Sequence, residues 1–216
     1  MPAAQPRRTT RNVPVMLLAA VLPLACAHPA VDLRSTADLH GDYGDVLDRW
    51  TRSVETYDGL KSAVFVSATL FGPEMTEAWL REQARLFRLD EVAAAQARAS
   101  LEAEANGSHR LFLAVFTNET RWNDLERPNP AFRVWLGTDL GPRVAPASIE
   151  RVRDRNETIR ALFPHLGPFR QGYVVSFPRE ASAGVPTIPS GATRITLEVT
   201  GPHGNAALEW EVARTL

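Results

Sequence analysis

Near its carboxyl end the chain carries the pattern that most restricts its fold, a strict alternation of apolar and polar side chains. Apolar residues occupy every second position over 195–199 and again over 208–212, and residues 201–204 between them favour a turn. Because successive side chains of a strand point to opposite faces, each segment predicts a strand with one dry and one wet face. The turn joins the two strands into a β-hairpin.

Helices are predicted in three other parts of the chain. Apolar side chains at steps of three and four over residues 42–58 indicate an amphipathic helix. A longer helical stretch begins at Pro73 and ends near residue 105, with a break at Asp90, whose side chain is placed to cap the second piece. Residues 147–163 also favour a helix in part, and their mixed charges are typical of an exposed helix with local ion pairs.

Four further segments have the composition of strands: residues 62–71, 109–117, 131–138 and 171–177. Because the strands gather in the second half of the chain and the helices precede them, the predicted fold class is α+β around an antiparallel sheet or sandwich. Trp50 and Trp210 fall on predicted dry faces, so we expect both in the core rather than in a ligand pocket.

The amino-terminal end has the organisation of an export signal. Its first twelve residues contain three arginines and no acidic residue, and an apolar stretch follows over residues 13–25. Two prolines interrupt this stretch, and it is shorter than the about 20 apolar residues that a membrane-spanning helix needs. We therefore expect residues 1–25 to be a cleaved signal peptide.

The signal ends in the sequence LPLA followed by Cys26, which resembles the lipobox of bacterial lipoproteins. Ala25 and Cys26 match that pattern, while Pro23 stands where the family usually has leucine. The resemblance implies that Cys26, the single cysteine, carries a lipid that anchors the protein to a membrane. By the same analogy, Ala27 after the cysteine implies the outer membrane, with the domain facing the periplasm. The alternative is an ordinary signal peptide, with which Cys26 would be removed from a secreted protein.

This interpretation divides the chain into three regions: a signal peptide over 1–25, a lipidated cysteine with its tether over 26–40, and a single domain over 41–216. The full chain has a formal net charge of −1, and removal of the three signal arginines leaves about −4. A negatively charged domain argues against nonspecific binding to nucleic acid. The expected partners are therefore the membrane, through Cys26, and another envelope protein.

The second half of the chain also resembles the immunoglobulin-like domains found in bacterial envelope lipoproteins. The resemblance lies in the order of the β-rich segments before the final hairpin, which are 111–118, 132–136, 173–178 and 188–191. It implies an antiparallel, immunoglobulin-like β-sandwich. The amphipathic helix would precede this sandwich, and the long helical stretch from Pro73 would be an insertion in it.

Sequence motifs for catalysis or cofactor binding are absent. The chain has no Gly-x-Ser-x-Gly motif and no glycine-rich phosphate-binding fingerprint, so we predict neither catalytic residues nor a cofactor. A cation could be held before the first helix by Asp38, His40, Asp42 and Asp45. Because their spacing matches no known ligand pattern, we predict no metal site and expect Asp42 or a neighbour to cap the helix.

One pair of loop residues is a candidate for partner contact. Trp122 lies in a predicted loop beside Arg121, and loop aromatics and arginines are favoured at interfaces. The predicted function is therefore that of a lipid-anchored, non-enzymatic envelope protein that binds another protein or serves as a structural module. The alternative is a periplasmic carrier of a small apolar ligand or lipid, which requires an apolar cavity of at least about 300 Å³.

Overall fold

The computed structural model describes residues 29–31, 42–58, 61–153 and 156–213. The predicted signal peptide and Cys26 lie outside these ranges, and so do Asp38 and His40. The described residues form an α+β fold whose sheets are antiparallel. Within them, none of the helices combines the length and the apolar character needed to cross a bilayer.

The helices of the described chain are α1 (Tyr43–Trp50), α2 (Pro73–Phe87), α3 (Glu91–Gly107) and α4 (Glu157–Leu162). The strands are β1 (Thr51–Asp58), β2 (Lys61–Leu70), β3 (Ser108–Thr117), β4 (Arg133–Thr138), β5 (Ser148–Arg151), β6 (Gln171–Pro178), β7 (Glu180–Ser182), β8 (Val185–Pro186), β9 (Arg194–Gly201) and β10 (Gly204–Glu211). Short 3-10 turns occur at Thr120–Trp122 and Pro164–Leu166.

The strands form two large sheets and one small sheet. Five strands lie in the order β1-β2-β3-β6-β5, three lie in the order β10-β9-β4, and β7 pairs with β8. The apolar faces of the two large sheets meet in one core, to which both contribute, for example Val66, Leu113 and Val175 from the first and Leu136, Leu197 and Trp210 from the second. We call the core side of the five-stranded sheet its inner face and the opposite side its outer face.

Most predicted elements are confirmed. The strands predicted at 62–71, 109–117, 131–138 and 171–177 are β2, β3, β4 and β6, and the carboxyl-terminal hairpin is β9 with β10. The helical stretch from Pro73 breaks where the sequence indicates, and the Asp90 carboxylate accepts a hydrogen bond from the Ala93 amide at 2.8 Å at the start of α3. The α+β fold class is therefore confirmed.

The helix predicted over 42–58 is wrong in its second half, because α1 ends at Trp50 and β1 follows immediately. The β1 segment contains the β-branched Thr51, Val54 and Thr56, and it pairs with β2 along its whole length. A ladder to a neighbouring strand satisfies the backbone and partly buries Val54. Tertiary pairing therefore outweighs the local helical spacing.

The helix predicted within 147–163 is confirmed only near its end. Residues Ser148–Arg151 form β5 at the edge of the five-stranded sheet, and α4 begins at Glu157. A strand of four residues is too short to show a clear alternation, so the mixed charges suggested a helix instead. Asn156 caps α4, since its side-chain oxygen accepts a hydrogen bond from the Ile159 amide at 3.1 Å.

The core also takes in a residue from near the amino terminus. Val31 is fully buried and bridges Val212. The Val31 amide donates to the Glu211 carbonyl at 2.7 Å, and the Val31 carbonyl accepts from the Ala213 amide at 3.0 Å. Val31 lies within the segment predicted to be the tether, and it is part of the core.

Trp50 and Trp210 are fully buried, as predicted, and they link α1 to the three-stranded sheet. Trp210 Nε1 donates to the Trp50 carbonyl at 2.9 Å, and Trp50 Nε1 donates to Glu74 Oε2 at 2.7 Å. Gly72 packs so closely on the Trp50 ring that a Cβ at this position would lie 2.1 Å from Cη2. The junction between β2 and α2 therefore requires glycine.

The outer face of the five-stranded sheet is divided into two halves. One half is covered by α4 and the 3-10 turn after it, and there the Phe163 ring stacks on Phe112 at 4.0 Å. The other half carries the side chains of Tyr57, Phe65 and Phe116, which keep part of their surface exposed. This open half borders the candidate functional site.

Candidate binding cleft

A cleft of about 370 Å³ lies at the end of the five-stranded sheet where β3 ends and β6 begins. Its volume is within the range of about 300–1,000 Å³ that is usual for small-ligand pockets. The walls come from the end of β3 and the loop after it, from the residues after β5, from α4, and from the loop before β6. Four segments that are distant in sequence therefore converge on one site.

Among the described residues, four arginines line the cleft, namely Arg151, Arg153, Arg160 and Arg170. Arg151 ends β5 and Arg153 follows two positions later, while Arg160 lies in α4 and Arg170 directly precedes β6. Pairing of β5 with β6 brings these positions together. Since no acidic side chain belongs to the lining within the described residues, the cleft concentrates positive charge.

Buried and partly buried hydrogen bonds hold the walls of the cleft in position. Gln171 Nε2 donates to the Val152 carbonyl at 2.7 Å, which ties the segment after β5 to the start of β6. Asn123 Nδ2 donates to the Val115 carbonyl at 2.8 Å, and the Tyr173 hydroxyl donates to Asn123, 2.8 Å from its carbonyl oxygen and 2.9 Å from Oδ1. Burial raises the pKa of the Tyr173 phenol, so this group stays a donor. The cleft is therefore preorganised.

Among the described residues, carboxylates outside the lining contact Arg170 and Arg151. Arg170 Nη1 donates to Ser67 Oγ, and Arg170 Nη2 lies 3.9 Å from Glu55 Oε1. Arg151 Nη1 lies 3.6 Å from Glu126 Oε1. Both ion-pair distances exceed the about 2.7–2.9 Å of a charge-assisted hydrogen bond. These contacts orient the guanidinium groups.

Apolar side chains form another part of the lining. Phe116 and Leu166 lie among the arginines, and Phe169 directly precedes Arg170. Phe169 is 82% exposed, so its ring is open to solvent. Exposed aromatic residues beside arginines are enriched in binding hot spots, so this part of the surface has the composition of a recognition site.

The histidine next to the cleft contributes no positive charge at neutral pH. His165 precedes Leu166, packs edge-on against Phe112 and Phe163, and places Nε2 3.5 Å from Thr69 Oγ1. Burial, with a smaller contribution from Arg170, lowers the pKa of His165 from 6.5 to about 4. Guanidinium groups, in contrast, remain protonated in proteins. The charge of the cleft therefore comes from its arginines.

The arrangement can bind an anion rather than a metal ion. Guanidinium groups donate paired hydrogen bonds to carboxylates and phosphates and repel cations. Within the described chain, no group of three or more His, Cys, Asp or Glu side chains is placed to hold a metal. Asp42 takes the N-cap position of α1, yet its side chain makes no capping hydrogen bond among the described residues. Asp45 lies in the first turn of the same helix.

The predicted partner-contact residues, Trp122 and Arg121, lie beside the cleft in the 3-10 turn after β3. The Trp122 ring is half-buried and stacks on His203, with ring centroids 3.7 Å apart. Arg121 is exposed, pairs with Glu119 at 2.6 Å, and lies 5.9 Å from the centroid of the Trp122 ring. His203 thus occupies one face of the indole.

The arginines of the cleft were not predicted. The charges over 150–160 fit an exposed helix, and Arg170 is remote from them in sequence. The signal that could have identified part of the site is the spacing of two between Arg151 and Arg153, which suits extended chain better than helix. Arg160 and Arg170 join these two residues only through the tertiary fold.

No family model, curated protein or solved structure matches this chain. The function of the cleft is therefore inferred from its own residues.

Proposed function

We propose that this protein is a lipid-anchored, non-enzymatic module of the bacterial cell envelope that binds an acidic segment of another envelope protein in its arginine cleft. The observation that carries this proposal is the convergence of four arginines on one cleft, with no acidic residue in its described lining. Hydrogen bonds to charged groups contribute about 1.5–3 kcal/mol each, so two or three such contacts give useful affinity.

The anchor is proposed to be a lipid on Cys26, as the lipobox-like sequence before it implies. Val31 belongs to the core, so only a few residues separate Cys26 from the folded domain. Five residues of fully extended chain span at most about 18 Å. An anchored domain would therefore lie close to the bilayer, and by analogy Ala27 favours the periplasmic side of the outer membrane.

The position of the cleft supports a partner away from that bilayer. Val31 is held by Val212, just after the end of β10, whereas the carbonyl of Asn205 at the start of β10 accepts a hydrogen bond from Thr56 Oγ1 at 3.0 Å. Strand pairing continues from Thr56 through β2 to Thr117, which lines the cleft. Seven residues of strand separate Val212, next to Val31, from Asn205, on the side of the cleft, by about 23 Å.

We also propose that the two large sheets form an immunoglobulin-like sandwich. Constant-type immunoglobulin domains have strands A-B-E-D in one sheet and C-F-G in the other. With β2 as strand A, the order β2-β3-β6-β5 follows A-B-E-D and the order β4-β9-β10 follows C-F-G. In this arrangement β1 is an extra strand beside A, and α2 with α3 is an insertion between A and B. A crystal structure in which β4 pairs with a strand other than β9 would contradict the proposal.

The second candidate function is that of a carrier for a small apolar ligand or lipid. The volume of the cleft and the side chains of Phe116, Leu166 and Phe169 favour it. A purely apolar ligand would, however, desolvate guanidinium groups without giving them hydrogen-bond partners. A lipid or apolar compound recovered from the protein by native mass spectrometry would favour the carrier.

Calorimetric titration of acetylated, amidated tetraglutamate into the purified full chain tests the proposed function. We expect saturable binding to the wild type and an affinity at least about tenfold lower for R153Q/R170Q, because two charge-assisted contacts are lost. Arg88 lies in the exposed turn after α2, outside the cleft, and R88Q is the matched control that should bind as the wild type does. The absence of binding, or equal affinity for R153Q/R170Q, would refute the proposal.

Vesicles of phosphatidylglycerol distinguish a partner protein from an anionic membrane surface. The wild type could bind these vesicles more tightly than it binds tetraglutamate, and R153Q/R170Q could weaken that binding. Together these two results would show that the ligand of the cleft is a lipid headgroup. Replacing Cys26 by Ser tests the anchor separately, since it should release the protein from the membrane fraction or leave it unprocessed.

A further inference from the structure

Three aromatic side chains lie in a row on the open half of the outer face. Tyr57, Phe65 and Phe116 come from the neighbouring strands β1, β2 and β3, and we call them the aromatic row. The ring centroids of Tyr57 and Phe65 are 5.2 Å apart, and so are those of Phe65 and Phe116. Tyr57 is 56% exposed, and the other two rings are partly exposed. The row is an apolar surface two strand spacings, or roughly 10 Å, in length.

The aromatic row is continuous with the arginine cleft. Phe116 lines the cleft and also ends the row. Arg170 adjoins both, because it lines the cleft and its guanidinium contacts Ser67 and Glu55 on the outer face. A ligand with an anionic group in the cleft would therefore bring its neighbouring groups onto the row.

The inclination of the rings favours one kind of ligand. The planes of Tyr57 and Phe65 meet at 59°, and those of Phe65 and Phe116 meet at 30°. Aromatic side chains pair in tilted and edge-to-face arrangements at centroid distances of about 4.5–7 Å, so a further aromatic side chain can extend the row. Nucleic-acid bases stack on the faces of rings, and rings with these tilts do not share one plane.

The charges of the cleft and of the row indicate which part of a ligand each of them binds. The Tyr57 hydroxyl donates to Glu55 Oε2 at 2.7 Å, and Glu55 Oε1 lies 3.9 Å from Arg170 Nη2, so one carboxylate contacts both the exposed end of the row and an arginine of the cleft. This negative charge disfavours an acidic group on the row, whereas the arginines favour one in the cleft. The anionic part of a ligand therefore belongs in the cleft and an uncharged aromatic part belongs on the row.

We propose that the segment bound by this protein is an acidic-aromatic peptide of the partner, with its carboxylates in the arginine cleft and an aromatic side chain on the aromatic row. The inference rests on the proposed function and adds an aromatic residue to the acidic segment that the cleft binds. An extended peptide advances about 3.3–3.6 Å per residue, so a spacing of two or three positions between a carboxylate and the aromatic residue matches the roughly 10 Å length of the row.

Two acetylated, amidated peptides test this inference, Glu-Glu-Glu-Gly-Trp and Glu-Glu-Glu-Gly-Ala, each titrated calorimetrically into the full chain. We expect the tryptophan peptide to bind at least about fivefold tighter, since an added aromatic pair contributes on the order of 1 kcal/mol. Phe65→Ala should abolish this preference and leave the affinity of the alanine peptide unchanged. Leu140 is an exposed apolar residue outside the row, so the control Leu140→Ala should keep the preference.

The outcomes separate this inference from the proposed function. Equal affinity of the two peptides for the wild type would overturn the aromatic part and leave the arginine cleft as an acidic-segment site. Failure of both peptides to bind would contradict the proposed function itself. A short oligothymidine that bound more tightly than the tryptophan peptide would also overturn the inference. If Phe65→Ala does not fold, as judged by circular dichroism, Tyr57→Ala at the exposed end of the row replaces it.

Discussion

The two faces of the five-stranded sheet are built from the same strands but differ in chemistry. On β2, the side chains of Val64, Val66, Ala68 and Leu70 point to the inner face and are buried. Between them Phe65, Ser67 and Thr69 point to the outer face, where the hydroxyls of Ser67 and Thr69 lie 2.7 Å from those of Ser53 and Thr51 of β1. The inner face is mainly apolar, whereas the outer face mixes hydroxyls, rings and charges.

Because of this difference, we expect the inner face to determine stability and the open half of the outer face to determine recognition. The inner face packs against the three-stranded sheet, mainly through apolar side chains. On the outer face, α4 and the turn after it cover one half, and the other half keeps aromatic and cationic groups within reach of solvent. A substitution on the inner face should therefore affect folding, and a substitution on the open half should affect binding.

The largest effect is expected on the inner face. Leu113→Ala removes a fully buried side chain from the centre of the sheet, and the resulting cavity should lower the free energy of unfolding by roughly 2–5 kcal/mol. Urea denaturation followed by tryptophan fluorescence measures this change. A loss below about 1 kcal/mol would show that the inner face does not carry the core.

The covered half of the outer face should make stability depend on pH. Burial holds the pKa of His165 at about 4, below the 6.5 of an exposed histidine, so between these values the unfolded chain binds a proton that the folded protein excludes. Stability should therefore fall as the pH drops from about 6.5 towards 4, by roughly 2–3 kcal/mol for one such group.

Denaturation of the wild type and of His165→Gln across this pH range measures the contribution of His165. The variant should show a shallower dependence on pH. Burial also lowers the pKa of His109 to about 4. His109→Gln is therefore a comparison variant, and it should reduce the pH dependence of stability by a similar amount. Identical slopes for the wild type and both variants would contradict burial of these rings.

The smallest effect on stability is expected on the open half. Phe65→Ala removes more atoms than Leu113→Ala, yet Phe65 is only partly buried, so the loss should stay below about 1.5 kcal/mol. The same urea titration compares the two variants directly. A loss from Phe65→Ala equal to that from Leu113→Ala would place the aromatic row in the core and remove the contrast between the faces.

The sequence predicted the elements whose pattern is local and long. The alternation over β9 and β10 and the break at Asp90 between α2 and α3 each follow from side chains that are close in the chain. The errors fall where pairing with a distant strand decides the outcome. β1 is a strand because β2 lies beside it, and β5 is a strand because β6 does.

Less of the candidate site than of the fold could be predicted from the sequence. Trp122 and Arg121 were predicted from their loop position alone, and they lie beside the cleft. Arg153 and Arg170 are 17 positions apart and meet only because β6 carries one of them back to the end of β5. A charge cluster assembled by strand pairing leaves no local pattern in the sequence.

The most direct test of the arginine cleft is to map where an acidic peptide contacts the protein. Amide chemical shifts of the isotope-labelled full chain, titrated with tetraglutamate, report the site residue by residue. We expect the largest changes at Thr117, Val152 and Gly172, which line the cleft, and their loss in R153Q/R170Q. Changes centred on Trp122 and His203, or unaltered changes in R153Q/R170Q, would contradict the assignment of the cleft as the binding site.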